Sequence, residues 1–158
     1  MKALATLALR VAELERRLAN TMRHGPVTDV DPKKQLVRLG IGEDDNGQPV
    51  QGPWVPYAQV AGAMKVHTPP SKGQNMSMFS PTGDFRQAVA IPFTWSDDNS
   101  SPSEKGDEHV ATFGDFKAEI RGNELVITVP RIFFKCEGTT FELTGGGLKM
   151  VADDYQFE

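Results

Sequence analysis

The residues best suited to chemistry are one cysteine, Cys136, three histidines, His24, His67 and His109, and two acidic clusters. A thiol nucleophile needs a histidine to take its proton and a third group to orient that histidine, and none stands beside Cys136 in the sequence. Cys136 lies two residues beyond Phe134 and in step with Ile132, so it reads as a small apolar group to be buried. No two histidines fall within two residues of each other; isolated ones are structural or solvated more often than they are ligands. The clusters Glu43-Asp44-Asp45-Asn46-Gly47 and Asp97-Asp98-Asn99 offer oxygens of the kind calcium prefers. Neither has the alternating ligand spacing or the distal bidentate glutamate of a calcium loop, and turn chemistry explains both. Gly145-Gly146-Gly147 stands between alternating runs and opens no helix, so it reads as a turn rather than a phosphate cradle. The expectation is a protein with no catalytic residues, no metal site and no cofactor.

Six aromatics, Trp54, Tyr57, Phe79, Phe85, Phe93 and Trp95, could form a stacking platform for single-stranded nucleic acid. Such a groove needs cations between its rings. Residues 51–95 hold only Lys65, Lys72 and Arg86, and the whole chain carries a net charge of -4, so core packing is the expected role of the six and no nucleic-acid partner is expected. The alternative reading is an OB-fold module for oligonucleotides or oligosaccharides.

These residues need elements to hold them. The 158 residues, 39% hydrophobic with 15 Gly and 11 Pro, suit one ordinary domain or two small ones, rich in turns and therefore in short strands. A single cysteine leaves no intrachain disulfide. Residues 3–9 (ALATLAL) imitate a signal-peptide core, but Arg10, Glu13, Glu15, Arg16 and Arg17 follow at once, and no run approaches a membrane span. Synthesis in the cytosol is expected.

Leu4, Leu7, Val11, Leu14 and Leu18 recur at alternating intervals of 3 and 4, the heptad spacing that keeps one apolar stripe facing a neighbouring helix. With Leu4 at position a, Arg10 falls at g and Glu15 at the next e, where a parallel partner chain would receive a salt bridge. Gly25 and Pro26 end the helix near Thr21 to His24, which makes residues 1–24 the first segment. Residues 25–113 follow as short runs separated by turn residues, with strands expected at Val27 to Asp31, Gln35 to Ile41, Val60 to His67, Asn75 to Ser80 and Phe85 to Phe93. Five such strands suit an OB-like Greek-key barrel. Asp97 to Asp107 reads as a flexible loop or linker, with a boundary near residue 110.

Residues 114–158 alternate, with strand starts at 125, 132, 141, 148 and 155. Regular spacing of this kind points to a solenoid or prism. One chain alone would leave its edges and apolar faces open, whereas three chains wound together would cover both. The expected trimer core is Leu125, Ile127, Ile132, Phe134, Phe141, Leu143, Leu148 and Met150.

A short helix, an OB-like barrel carrying Gly52-Pro53-Trp54-Val55-Pro56-Tyr57 and Ser80-Pro81-Thr82-Gly83-Asp84-Phe85, and a repeating β tail together resemble the central spike proteins of contractile phage tails, the baseplate assembly protein V family. The resemblance implies a mainly β, non-enzymatic homotrimer in the virion's tail baseplate, made in the host cytoplasm. Its barrels would sit below a tail hub protein, and its C-terminal strands would form an intertwined triangular β-helix that pierces the bacterial outer membrane on sheath contraction. The helix would form a bundle of three or contact the hub. Some such spikes end in a His-x-His iron apex, which this sequence lacks. The expectation is instead a separate spike-tip protein received by Tyr155 and Phe157. A tail lysozyme domain would not fit beside the barrel and tail in this length.

Overall fold

The computed structural model describes residues 2–154, which fall into an N-terminal unit ending at Ser100 and a C-terminal unit beginning at Ser101. The first unit opens with α1 (Lys2–Ala19), a stretch of alanine, leucine, arginine and glutamate that favours helix. The helix stops earlier than Gly25-Pro26 would require: the Thr21 hydroxyl donates to the Leu18 carbonyl at 2.7 Å and a strand begins at Met22. Six strands follow: β1 (Met22–Asp31), β2 (Leu36–Glu43), β3 (Pro49–Gln51), β4 (Val55–Pro56), β5 (Asn75–Phe79) and β6 (Val89–Thr94).

Strand β1 changes partner half way. Met22 to Pro26 pair with β5, and Val27 to Asp31 pair with β2. Pro26, which has no N–H to give, stands at the crossover. Antiparallel pairing continues from β5 to β6, and β4 pairs with β2. A parallel bridge from Tyr57 to Ala90, with Ala58 N–H donating to the Ala90 carbonyl at 2.8 Å, joins the segment after β4 to β6. The pairings therefore run in a ring. Inside it lie Val27, Val37, Leu39, Val55, Tyr57, Met76, Met78, Ala88 and Ala90, with Val30, Ile41 and Phe85 packed against them.

The C-terminal unit holds β7 (Glu108–Phe113), β8 (Phe116–Arg121), β9 (Glu124–Thr128), β10 (Arg131–Cys136), β11 (Thr139–Thr144) and β12 (Gly147–Val151). They form two three-stranded antiparallel meanders, β7-β8-β9 and β10-β11-β12. Within each, two-residue connections join the strands, the form that matches strand twist. Gly114, Gly122 and Glu137 open three of these turns with φ of 54°, 52° and 49°. Pro130 separates β9 from β10.

Several sequence expectations change. The expected strand at Val60 to His67 is a loop: Ala61 bridges only to Lys65 and Val66 N–H donates to the Val60 carbonyl, so the segment closes on itself and offers no edge to a sheet. Phe85 to Gln87 form a 3-10 turn capped by the Asp84 side chain, which accepts from Arg86 N–H, and the strand starts only at Val89. Residues 108–113 pair with β8 instead of closing the N-terminal unit, so the chain divides after Ser100 and not after residue 113. Of the six aromatics assigned to the core, Tyr57 is buried and Phe85 half-buried, while Trp54, Phe79, Phe93 and Trp95 are exposed.

Candidate assembly surface

In a strand, successive side chains point to opposite faces, so the pairing register decides which residues share a surface. In the second meander Ile132 pairs with Leu143 and Leu143 with Leu148; Phe134 pairs with Phe141 and Phe141 with Met150. These six residues stand on one face in two rows of three, with Cys136 opposite Thr139 at the end. The Phe134 and Phe141 rings lie 6.0 Å apart at a tilt of 55°. Leu125 and Ile127, the other two expected core residues, lie on the corresponding face of the first meander, beside Ile120 and Ala118.

Sequence reasoning missed the rest of that first face. His109 pairs with Ile120, Ala111 with Ala118 and Phe113 with Phe116, which places all of them with Leu125 and Ile127. The missed signal was a 23-residue repeat: Glu108 to Arg131, Phe116 to Thr139 and Glu124 to Gly147 are each 23 residues apart, and each pair begins equivalent strands.

Both apolar faces are open to solvent. Leu125 is 65% exposed and Phe134 64%, and Ile132 and Phe141 are only half-buried. Between Ser101 and Asp154 no apolar side chain is buried; what is buried there is charged, the Glu108 side chain at 7% exposure and the Glu119 side chain at 12%. A fold of this size needs a core to offset its conformational entropy. Cys136, expected to be buried, is exposed in the single chain.

The reverse faces carry most of the charged side chains, interleaved with Val110, Val126, Phe133 and Val151. Glu119, central in the first meander, takes Lys117 at 3.0 Å and Arg121 at 3.6 Å. Glu142, its equivalent 23 residues on, takes Arg131, whose guanidinium also lies 4.7 Å from the Phe133 ring. Glu108 accepts from the Ser103 hydroxyl and lies 3.7 Å from Lys105. The Ser103 bond, with Lys105, Arg121 and Lys117 adding to it against the cost of burial, holds the Glu108 carboxyl below its ordinary value. A depressed carboxyl stabilises the fold above its unfolded pKa and loses that contribution as pH falls through the folded value. Thermal melts from about pH 6 to about pH 3 should therefore show the C-terminal unit weakening below about pH 4, with a shallower fall in Glu108→Gln. An unchanged slope in the variant would remove Glu108 as the cause.

A third apolar stripe runs along α1. Leu4, Leu7, Val11, Leu14 and Leu18 are all exposed and no residue of the helix is buried. Glu13 binds both Arg16 at 2.8 Å and Arg17 at 2.7 Å, which holds its carboxyl down at about 2. At the lower end of the helix Gly83, with φ of 69°, faces the backbone of Arg17; a Cβ there would stand 2.3 Å from the Arg17 carbonyl oxygen.

The other chemical candidates stay apart. His24 stacks on Phe93 with ring centroids 4.3 Å apart, His67 lies in the loop before Pro69, and His109 lies on β7. No group of three metal-ligating side chains occurs among the described residues. Asp44 accepts from Asn46 N–H at 2.9 Å and from Gln48 N–H at 2.8 Å, the work of a turn. Tyr155 and Phe157 lie outside the described residues. No protein-family model matches this chain, and no curated protein matches it.

Proposed function

We propose that this chain is one third of a homotrimeric, non-enzymatic central spike of a contractile phage tail. The observation that carries the reading is the pair of one-sided apolar faces on the two meanders, in a unit whose described residues bury no apolar side chain of their own. Three chains would turn those faces to a common axis and pair the open edges of β7, β9, β10 and β12 into an intertwined triangular β-helix. The ring of pairings through β1, β2, β4, β6 and β5 supports the OB-like barrel of this reading. The barrel would sit below the tail hub protein, and the exposed helix stripe would bundle or dock there. The far end would receive a separate tip protein, and contraction would drive it through the outer membrane. The virion baseplate would be its site of action.

Nucleic acid fits poorly. Of the cations near the exposed aromatics, Lys72 lies 3.6 Å from Asp29 and Arg86 lies 2.6 Å from Asp84, while Arg38 lies 5.7 Å over the Trp54 ring; one such cation in a chain of net charge -4 makes a poor groove for phosphates. Sedimentation equilibrium of the full chain tests the assembly. A trimer mass that persists on dilution and resists SDS is expected; a monomer would overturn the spike reading.

A further inference from the structure

The cleft at the end of β6 holds a combination of groups that lies outside the proposed assembly surface. Its volume is about 460 Å³, and Gln74, Asn75, Phe93, Trp95 and Asn99 line it, a size suited to a small ligand. Trp95 is 62% exposed and Phe93 55%. Adjacent exposed rings are a feature of ligand-binding grooves, and their faces suit a ligand with an apolar side. The His24 imidazole, stacked 4.3 Å from Phe93, fixes one of the two rings.

The rim is set in place before any ligand arrives. Asn75 Nδ2 donates to the Trp95 carbonyl at 3.1 Å, the Ser96 hydroxyl donates to the Gly73 carbonyl at 3.0 Å, and the Ser71 hydroxyl donates to Asn99 Oδ1 at 3.3 Å. Gln74 Oε1 accepts from Ser71 N–H at 3.2 Å. Each of two amides keeps one atom without a partner among the described residues, Oδ1 of Asn75 and Nε2 of Gln74. One accepts and the other donates, which is what a hydroxyl group requires.

No charged side chain lines the cleft. Asp98, whose carboxylate stands beside Gly73 next to the cleft, would repel a polyanion. A ligand for this site is therefore uncharged, has an apolar face to lie on indole and phenyl rings, and has hydroxyl or amide groups around its edge. Sugars have that construction: axial C–H bonds on one face and hydroxyls at the rim. We propose that this cleft is a subsite for a neutral saccharide, with Trp95 as the stacking platform and the amides of Gln74, Asn75 and Asn99 as the rim. The subsite requires no trimer and stands or falls apart from the spike reading.

The test titrates the full chain with chitotriose, maltotriose and, as an anionic ligand that also stacks, oligothymidylate, following the indole N–H resonances of Trp54 and Trp95. A saturable shift of the Trp95 signal with a neutral trisaccharide is expected, lost by on the order of tenfold or more in Trp95→Ala and kept in Trp54→Ala. Circular dichroism confirms that the exposed Trp95→Ala site leaves the fold intact. No saturable change with either sugar up to about 10 mM overturns the proposal. So does equal binding by Trp95→Ala, or a preference for oligothymidylate.

Discussion

Replacing Phe134 with aspartate is expected to turn a stable trimer into monomers whose N-terminal unit, which holds its own core, remains folded. In the single chain Phe134 is 64% exposed, so the substitution removes no core of its own and should cost a monomer no more than about 0.5 kcal/mol. In the proposed assembly the same position meets its two copies at a dry axis, beside Phe141 and Met150. Three carboxylates would then lose their water with no cation facing them, and an uncompensated buried charge costs about 3 kcal/mol or more. The association constant should fall by more than about a hundredfold. Phe133→Ala is the control, because Phe133 stands on the reverse face over Arg131 and opposite Glu142; it should leave the trimer mass unchanged. A Phe134→Asp protein that sediments as a trimer of undiminished stability would place the interface elsewhere.

The second large effect is expected at Gly25. There β1 crosses so close to β2 that a Cβ on Gly25 would stand 1.7 Å from the Gly40 carbonyl oxygen and 2.9 Å from its carbon. Both are backbone atoms, so no side chain can swing away, and the crossover that lets β1 serve both β5 and β2 must open. Gly25→Ala should destabilise the N-terminal unit by about 3 kcal/mol or more, a large part of an ordinary domain's total. Gly40→Ala gives the contrast. Its added Cβ would meet Thr28 and Pro26 side chains at 3.6 Å and beyond, an ordinary contact, and alanine stiffens the unfolded chain. Urea denaturation of both variants should separate them by at least about 2 kcal/mol; equal midpoints would mean that the close approach is not what fixes this glycine.

Much of the chain is legible from local pattern. The α1 stripe, the alternation of β10 to β12 and the turn residues between them are periodic signals within a few residues, and the eight expected core residues fall on the two apolar faces. Errors arose where local pattern and tertiary pairing disagree. Val60 to His67 has the apolar content of a strand, but a strand exists only where a neighbouring edge accepts it, and that segment bonds to itself. Residues 108–113 fall within the expected barrel of residues 25–113, whereas β8 takes them as its first partner. By type Trp95 and Phe93 suit a core, yet placement at the open end of β6 leaves them in solvent beside three neutral amides.

By itself, the sequence determined that a helix opens the chain and which residues alternate along the C-terminal strands. Those properties depend on neighbours along the chain. Tertiary structure decided which strand pairs with which, that β1 serves two partners across Gly25 and Pro26, and that the apolar residues of the C-terminal unit share exposed faces. The physical reason is that a face is defined by register between strands, and a register is a relation among distant segments that no local pattern states.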